Sequence, residues 1–400
     1  MEVEMSYDNL KKLKNKYAIV GVGYTPQGKV PNRSALSFYV EAGINAIKDA
    51  GLKKEDIDGL ICYRQFRPLL NEPEPTPYLV AQILGIQPTV LSQESYCPRH
   101  HFVQAISLLE AGFCNNVLII YADNGLSGSR TFVEEATHPE PKNDNYIYGE
   151  FGFVGDYALA ARRAMHEFNT GPDTWKEIAV NQRKWAMLNP IATMYQKPLT
   201  PEDYLNSDYI IEPFRKLDAA LISDGGRACI VTSLERARDL KNPVVSIMGI
   251  GEANPSIDIH QATYITGPTG AKKASEMAFS MADITLNDID ACEIYDCFTY
   301  TVEITMQDYG FFKPGEGKDF FKDGYTAPGG KLPVNTSGGL LQEAYFMGLT
   351  PITEAVMQLM GRCDQRQLGT SVGNKKPEII LCSDNGGVLQ THATIILRRL

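Results

Sequence analysis

Tyr17-Ala-Ile-Val-Gly-Val-Gly23 and Pro243-Val-Val-Ser-Ile-Met-Gly-Ile-Gly251 read as two versions of one strand. Each is a short apolar run, rich in β-branched residues, that ends in Gly-x-Gly. The segments C-terminal to the two runs are also alike. A helix-like stretch comes next, Ala35 to Ala50 in the first half and Ala271 to Met281 in the second. Then come Glu55-Asp-Ile-Asp-Gly59 with Leu60-Ile61-Cys62, and Asn287-Asp-Ile-Asp-Ala291 with Cys292-Glu-Ile294. A fourth echo lies further on: Val117-Leu-Ile-Ile-Tyr-Ala-Asp-Asn124 and Glu378-Ile-Ile-Leu-Cys-Ser-Asp-Asn385 are both buried-strand runs that end in Asp-Asn. Four elements in one order, twice, indicate an internal duplication.

Strands that alternate with helices imply parallel sheets covered on both faces. The chain is therefore expected to be α/β, a duplicated body of five layers, helix–sheet–helix–sheet–helix. Its halves are residues 17–240 and 241–400. Residues 125–215 have no counterpart in the second half. They hold Pro-rich loops and two helical stretches, Phe153 to Phe168 and Asp173 to Met187, and read as an inserted loop domain lying over the first half.

Length and composition fit this picture. The 400 residues exceed one ordinary core and suit two. Hydrophobic residues make up 44% and charged residues 22%, which excludes wholesale disorder. The net charge of -10 argues against a nucleic-acid surface, which needs clustered Lys and Arg. No run reaches the roughly 20 apolar residues of a membrane span, and Met1 to Lys16 lacks the apolar core of an export signal. The 8 cysteines contain no CxxC pair. No zinc ribbon is expected within the chain, nor any other metal site. Reduced thiols and a cytoplasmic location are expected.

Further segments carry a family likeness: Ser223-Asp-Gly225, Glu293-Ile-Tyr-Asp-Cys-Phe-Thr299, Asn335-Thr-Ser-Gly-Gly-Leu-Leu341, Tyr345-Phe-Met-Gly348, and Asn385-Gly-Gly-Val388 before His392-Ala-Thr394. In this order, from Val20 to Leu397, they resemble the thiolase superfamily, in its sterol-carrier-protein-associated thiolase-like branch. Within that branch the chain is to be compared with benzoylsuccinyl-CoA thiolase large subunits and with steroid side-chain thiolase-like aldolases. The resemblance implies chemistry on acyl-coenzyme A thioesters at the carbon–carbon bond beside the thioester carbonyl. It implies coenzyme A as a substrate rather than a resident cofactor, a homodimer, and a small zinc-ribbon/OB-fold partner subunit.

The departures from the family pattern bear on the reaction. Thiolysis needs a thiolate nucleophile, an acid/base, and donors for an enolate oxygen. The predicted helix His100 to Ala111 is preceded by Gln93-Glu-Ser-Tyr-Cys-Pro-Arg-His-His101. Counting back from Gly112 sets Ser95 at the family's nucleophile position and Cys97 two residues later. Pro98 suits a first helical turn, which leaves Cys97 where free N–H groups lower a thiol pKa. Arg99, His100 and His101 add positive charge if turned inward. The competing reading is a cysteine packed at a sheet–helix junction.

Two segments that carry histidine in typical thiolases carry Tyr295 and Tyr345 here. A phenol with an ordinary pKa near 10 is a poor base at neutral pH but a good donor to an enolate. Paired tyrosines also look like the thiolase-like aldolases. Cys382, at the end of the last apolar run, is the candidate second acid/base. Asn335, Asn385 and the backbone of Gly387 are candidate oxyanion donors, and His392 is either a site residue or a core histidine. The run Tyr146 to Phe153 is a candidate aromatic lining for a bulky acyl group.

Three functions are thus open. The first is thiolysis of a bulky or aromatic β-ketoacyl-CoA through Cys97. The second is a retro-aldol cleavage of a β-hydroxyacyl-CoA through the tyrosines. The third is a non-catalytic acyl-CoA scaffold. Cys97→Ser separates them by acyl-CoA assay and mass spectrometry. Loss of activity, with an acyl adduct on the unaltered protein, marks thiolysis. Unchanged cleavage marks the aldolase, and no turnover at all, with or without a partner subunit, marks the scaffold.

Overall fold

The computed structural model describes residues 7–63, 74–94, 100–128, 152–256 and 259–400. The strands of the main sheet are β1 (Tyr17–Tyr24), β2 (Gly59–Tyr63), β3 (Val90–Glu94), β4 (Asn116–Asn124), β5 (Asp224–Ser233), β6 (Val245–Ala253), β7 (Ala291–Glu293), β8 (Ile379–Gly386) and β9 (Thr391–Arg399). Their order is β3-β2-β4-β5-β1-β6-β9-β8-β7. The duplication is plain in this order. β1, β5, β4 and β2 of the first half correspond to β6, β9, β8 and β7 of the second, and Val334 bridges Cys292 where β3 stands beside β2.

The two sheets expected from the sequence are continuous, and they are mixed rather than parallel: only β2–β3, β2–β4 and β7–β8 pair parallel, because the strands at the seam run against their neighbours. β1 and β6 pair antiparallel through Tyr17↔Ile247, Ala18↔Ser246 and Ile19↔Val245. Five layers nonetheless form. The main helices are α1 (Ala35–Ala50), α2 (Pro77–Leu84), α3 (His100–Glu110), α4 (Phe153–Phe168), α5 (Pro172–Ala186), α6 (Gly270–Ala282), α7 (Thr299–Tyr309) and α8 (Leu349–Met360). α1 and α2 cover one outer face, burying Phe38, Ala42 and Leu84 against Ala18, Leu60 and Ile120. α3 and α8 form the middle layer, where Phe102 and Ile352 share a core with Ile119 of the first half and Ile380 of the second. α6 and α7 cover the other outer face against Met248, Leu381 and Ile396.

The paired Gly-x-Gly runs have one physical cause. An added Cβ at Gly23 would lie 2.0 Å from the Ala42 carbonyl oxygen, and one at Gly21 would lie 2.5 Å from that of Ala46. The second half repeats this: an added Cβ at Gly251 would lie 2.0 Å from Ala274 O, and one at Gly249 2.2 Å from Ala278 O. Both helices present alanines every four residues to a strand stripped of side chains, so backbone packs on backbone.

The inserted segment departs from expectation in its placement. Its described helices, α4 and α5, pack on the second half rather than over the first. Tyr157, Ala161, Trp175 and Ile178 belong to the core of α7 and β8. The Trp175 indole N–H donates to Glu303 of α7 at 2.8 Å. Sequence order places an insertion in the chain but not on a face, and the large apolar surface of Trp175 is buried here against Tyr300 of α7 and Phe214. Among the described residues no helix is long and apolar enough to cross a membrane.

Gly251→Ala is expected to lower stability by about 1–3 kcal/mol or more, because backbone atoms must move apart. Urea denaturation followed by circular dichroism measures it. Gly373→Ala, which meets nothing within 4 Å, is expected to leave the midpoint unchanged.

Candidate active site

Tyr295 follows β7, and Tyr345 lies in the turn before α8. Their hydroxyl oxygens are 2.7 Å apart, a good O–H···O distance. The rings meet nearly edge to face, centroids 6.3 Å apart at 70°. Tyr295 is buried and Tyr345 half-buried, so the latter is the more open of the two.

Backbone contacts hold the pair. The Tyr295 N–H donates to Ser383 Oγ of β8 at 2.9 Å. The Tyr345 N–H donates to Ser223 Oγ, just before β5, at 3.1 Å. Ser223-Asp-Gly225 therefore has a structural purpose. The buried Asp224 carboxylate accepts the N–H groups of Val30, Leu126 and Ser127 at 2.7–2.9 Å, which ties two loops to β5. Gly225, at φ +131°, admits the ring of Phe346, whose Cζ a Cβ would meet at 2.9 Å.

The proton direction across the pair can be read from Met347. Its Sδ lies 3.1 Å from the Tyr345 hydroxyl and 3.9 Å from that of Tyr295. A thioether only accepts, and weakly. Either hydroxyl can donate to the other, and the shorter sulfur contact favours Tyr345 donating to Met347 with Tyr295 donating to Tyr345. The proton of Tyr345 thus rests on a poor acceptor that an incoming oxygen displaces. Met347 itself sits at φ 52°, a left-handed conformation uncommon outside glycine.

Burial is the largest influence on both phenols and pushes each well above its usual pKa. Neighbouring Cys297 and Asp384 add to it for both, and each phenol's partner also acts on it. Both phenols are therefore neutral at physiological pH. Neither is a ready base, but together they form a chain of two mobile protons.

The other candidate residues are distributed as follows. Cys97, Ser95 and Arg99 lie outside the described residues, as does Tyr146 to Phe151. His101, expected to lend charge to Cys97, is buried and stacked on Tyr63 with ring centroids 3.7 Å apart. Cys382 is fully buried in the middle-layer core, and it makes no hydrogen bond to either phenol. Strand alternation turns it the same way as Ile380, and burial drives its thiol far up. That is the setting of a packed core cysteine rather than of an acid/base.

Asn335 is fully buried, and its amide is committed to Ile294 and to the Asp296 carboxyl. Its Oδ1 accepts from Ile294 N–H at 2.6 Å, and its Nδ2 donates to Ile294 O at 2.9 Å. It fixes the backbone entering Tyr295 and is not available to an oxyanion. Asn385 differs. Its Oδ1 accepts from Tyr157 at 2.9 Å, and its buried Nδ2 has no hydrogen-bond partner among the described residues. It retains a donor for a developing negative oxygen. Gly387, at φ 53°, opens the tight turn between β8 and β9. His392 is buried with its Nε2 2.7 Å from the Tyr309 hydroxyl, which also meets Thr394 at 2.7 Å. It belongs to a polar cluster beneath α7.

Cys297, Asp384, Met347 and Ser223 are neighbours of the tyrosines that sequence reasoning did not name as site residues, although Cys297, Met347 and Ser223 lie within the segments that carry the family likeness. Cys297 stands two residues after Tyr295, and burial pushes its thiol up to about 12. Spacing alone gave it no distinction from the 7 other cysteines. Among the described residues no group of three or more His, Cys, Asp or Glu is placed to hold a metal ion.

Comparison with known proteins agrees with this architecture. A family model described as thiolase C-terminal domain-like matches residues 251–399. The chain is 35% identical over 365 residues to a steroid side-chain-cleaving aldolase of Thermomonospora curvata, covering 86% of this chain and 90% of that protein. It is 33% identical over 367 residues to a 17-hydroxy-3-oxo-4-pregnene-20-carboxyl-CoA lyase of Mycobacterium tuberculosis, covering 87% and 92%. It is also 30% identical over 363 residues to an acetyl-CoA acetyltransferase of Methanothermobacter thermautotrophicus, covering 89% and 94%. The solved Ltp2–ChsH2(DUF35) aldolase matches at a TM-score of 0.84 and 32% identity over 97% of this chain and 98% of that one. With the duplicated sheet, the Ser-Asp-Gly turn and the tyrosine pair in place, the chain belongs to the thiolase superfamily, in its sterol-carrier-protein-associated thiolase-like branch, and is an enzyme.

Proposed function

We propose that this enzyme cleaves a β-hydroxyacyl-CoA thioester by a retro-aldol reaction, with Tyr295 and Tyr345 moving the proton and no acyl-enzyme intermediate. The observation that carries the reading is the 2.7 Å contact between two neutral phenols. The order of preference drawn from the sequence, thiolysis first, is reversed. Two aldolase or lyase relatives and the aldolase structure support the reversal, as does the core setting of Cys382.

A retro-aldol cleavage moves one proton from the β-hydroxyl to the α-carbon. It needs neither a net acid nor a net base, and a pair of neutral phenols suits it. As the Cα–Cβ bond breaks, its electron pair passes into the thioester enolate and the β-oxygen becomes a carbonyl. The hydroxyl proton goes to one phenol oxygen, that phenol's proton to the other, and the last proton to the α-carbon. The products are a ketone or aldehyde and a shortened acyl-CoA, and both tyrosines end as they began. The spare N–H of Asn385 is suited to hold the enolate oxygen. The 17-hydroxyl and carboxyl-CoA in the name of one relative supply the kind of substrate to try first, a bulky tertiary alcohol. The second component of the solved aldolase supports a small DUF35-type partner subunit for this chain also.

Tyr345→Phe and Tyr295→Phe are each expected to lower kcat by about 10²–10⁴-fold, with the fold intact because ring volume is kept. Chromatography of the products is expected to give a carbonyl compound and acyl-CoA with no consumption of free coenzyme A. Products that require free coenzyme A, or an acyl group found on Cys97, would return the assignment to thiolysis.

The pH profile is a separate check. Both phenols have pKa values raised above the ordinary 10, so they stay protonated below that value. The kcat is expected to be flat from about pH 7 to pH 9. A rate that climbs steadily over this range would mean a phenolate base and would contradict the two-proton relay.

A further inference from the structure

Glu343 stands two residues before Tyr345, Phe346 one residue after it, and one side chain grips both. Arg227 of β5 is fully buried, and its guanidinium forms an ion pair with the equally buried Glu343. The same group lies over the ring of Tyr24 at 3.6 Å and 5.3 Å from the centroid of Phe346. Its Nη2 also donates to Gln27 Oε1 at 2.6 Å, and Gln27 Nε2 donates to Glu343 Oε1 at 3.2 Å.

The pair is badly arranged for stability. Arg227 Nε and Nη1 and Glu343 Oε2 are buried without hydrogen-bond partners among the described residues. A buried ion pair left partly unsatisfied is on average no better than apolar residues of the same volume. It does select one geometry, because a planar cation held between rings and tied to one carboxylate has little freedom. The backbone contact Tyr345 N–H to Ser223 Oγ fixes only one end of the residue. The grip on residues 343 and 346 fixes the rotation of the turn, and hence where the phenol points.

We propose that Arg227 is a positioning residue for Tyr345, which its grip on Glu343 and Phe346 holds within hydrogen-bond reach of Tyr295. The proposal rests on Tyr345 acting in catalysis, and it is tested with one readout that does not depend on that role. The test protein is the full chain, with its partner subunit where one is needed, carrying 3-fluorotyrosine at position 345. Its variants are Arg227→Met with Glu343→Gln, which leaves no unpaired buried charge, and Arg227→Lys. Thermal melting selects the folded ones.

The expected result in the double variant is a shifted or broadened fluorine resonance. On a 17-hydroxy-20-carboxyl-CoA steroid, its kcat is expected to fall about tenfold to a hundredfold, as for a catalytic group displaced by about 1 Å, while KM stays within about twofold. Arg227→Lys is expected to recover part of the rate. A folded double variant whose resonance is unmoved, or whose kcat is intact, overturns the proposal. Should the double variant fail to fold, Arg227→Lys decides on the same two readouts, an unmoved resonance or full kcat counting against. Should the unaltered enzyme cleave no β-hydroxyacyl-CoA, the proposed reaction fails, while the fluorine signal still decides whether Arg227 sets the ring.

Discussion

Helix backbone resting directly on strand backbone is the contact on which the molecule depends. Gly21 and Gly23 under α1, and Gly249 and Gly251 under α6, let an alanine-faced helix settle where any side chain would collide with a carbonyl oxygen. The same device appears twice because the unit is duplicated. It brings the first strand of each half to the middle of the assembly, where β1 and β6 then pair. The other elements take their places outward from that seam. The Ser223 and Ser383 ends of β5 and β8 are thereby brought to the tyrosines.

At the site, burial does the chemical work. It raises the pKa of two phenols that are only weakly acidic in water and so holds them neutral, 2.7 Å apart. Two histidines at these positions would titrate near neutrality and exchange charge with a thiol. Two tyrosines do neither. In the proposed reaction they pass protons along a line without a net change of charge, which suits a carbon–carbon cleavage that needs no nucleophile. Met347, by accepting weakly from Tyr345, leaves the outer proton ready to transfer.

The surroundings of this pair are unusually rich in buried polar groups. The Thr336 hydroxyl lies 2.6 Å from Glu293 and 2.8 Å from Glu354. The one hydroxyl proton can serve only one of them, but the Thr336 N–H also donates to Glu293 at 3.1 Å and Arg366 donates to Glu354. Burial and the neighbouring Glu354 push Glu293 up into its protonated form. Burial also pushes Glu354 upward, but the Arg366 guanidinium at 2.9 Å outweighs it and keeps Glu354 ionised. Such networks are poor sources of stability and good sources of a single geometry. They concentrate beneath the segment from Asn335 to Phe346 that delivers Tyr345.

The sequence by itself determined the duplication, the α/β layering and the two tyrosines. Short apolar runs, Gly-x-Gly endings and Asp-Asn termini are local patterns that survive without coordinates. It misjudged what depends on contacts between distant segments. The insertion was expected over the first half, yet Trp175 buries itself against α7 of the second. Cys382 looked reactive by its place at a strand end, but strand alternation turns it into the core. Asn335 and Asn385 were indistinguishable as amides until their partners showed one committed to Ile294 and the other keeping a donor. Arg227 gave no signal, since its meaning lies in residues more than 100 positions away. Periodicity is written along the chain, whereas the protonation and orientation of a buried group are set by what the folded chain places around it, and only the tertiary structure decided those.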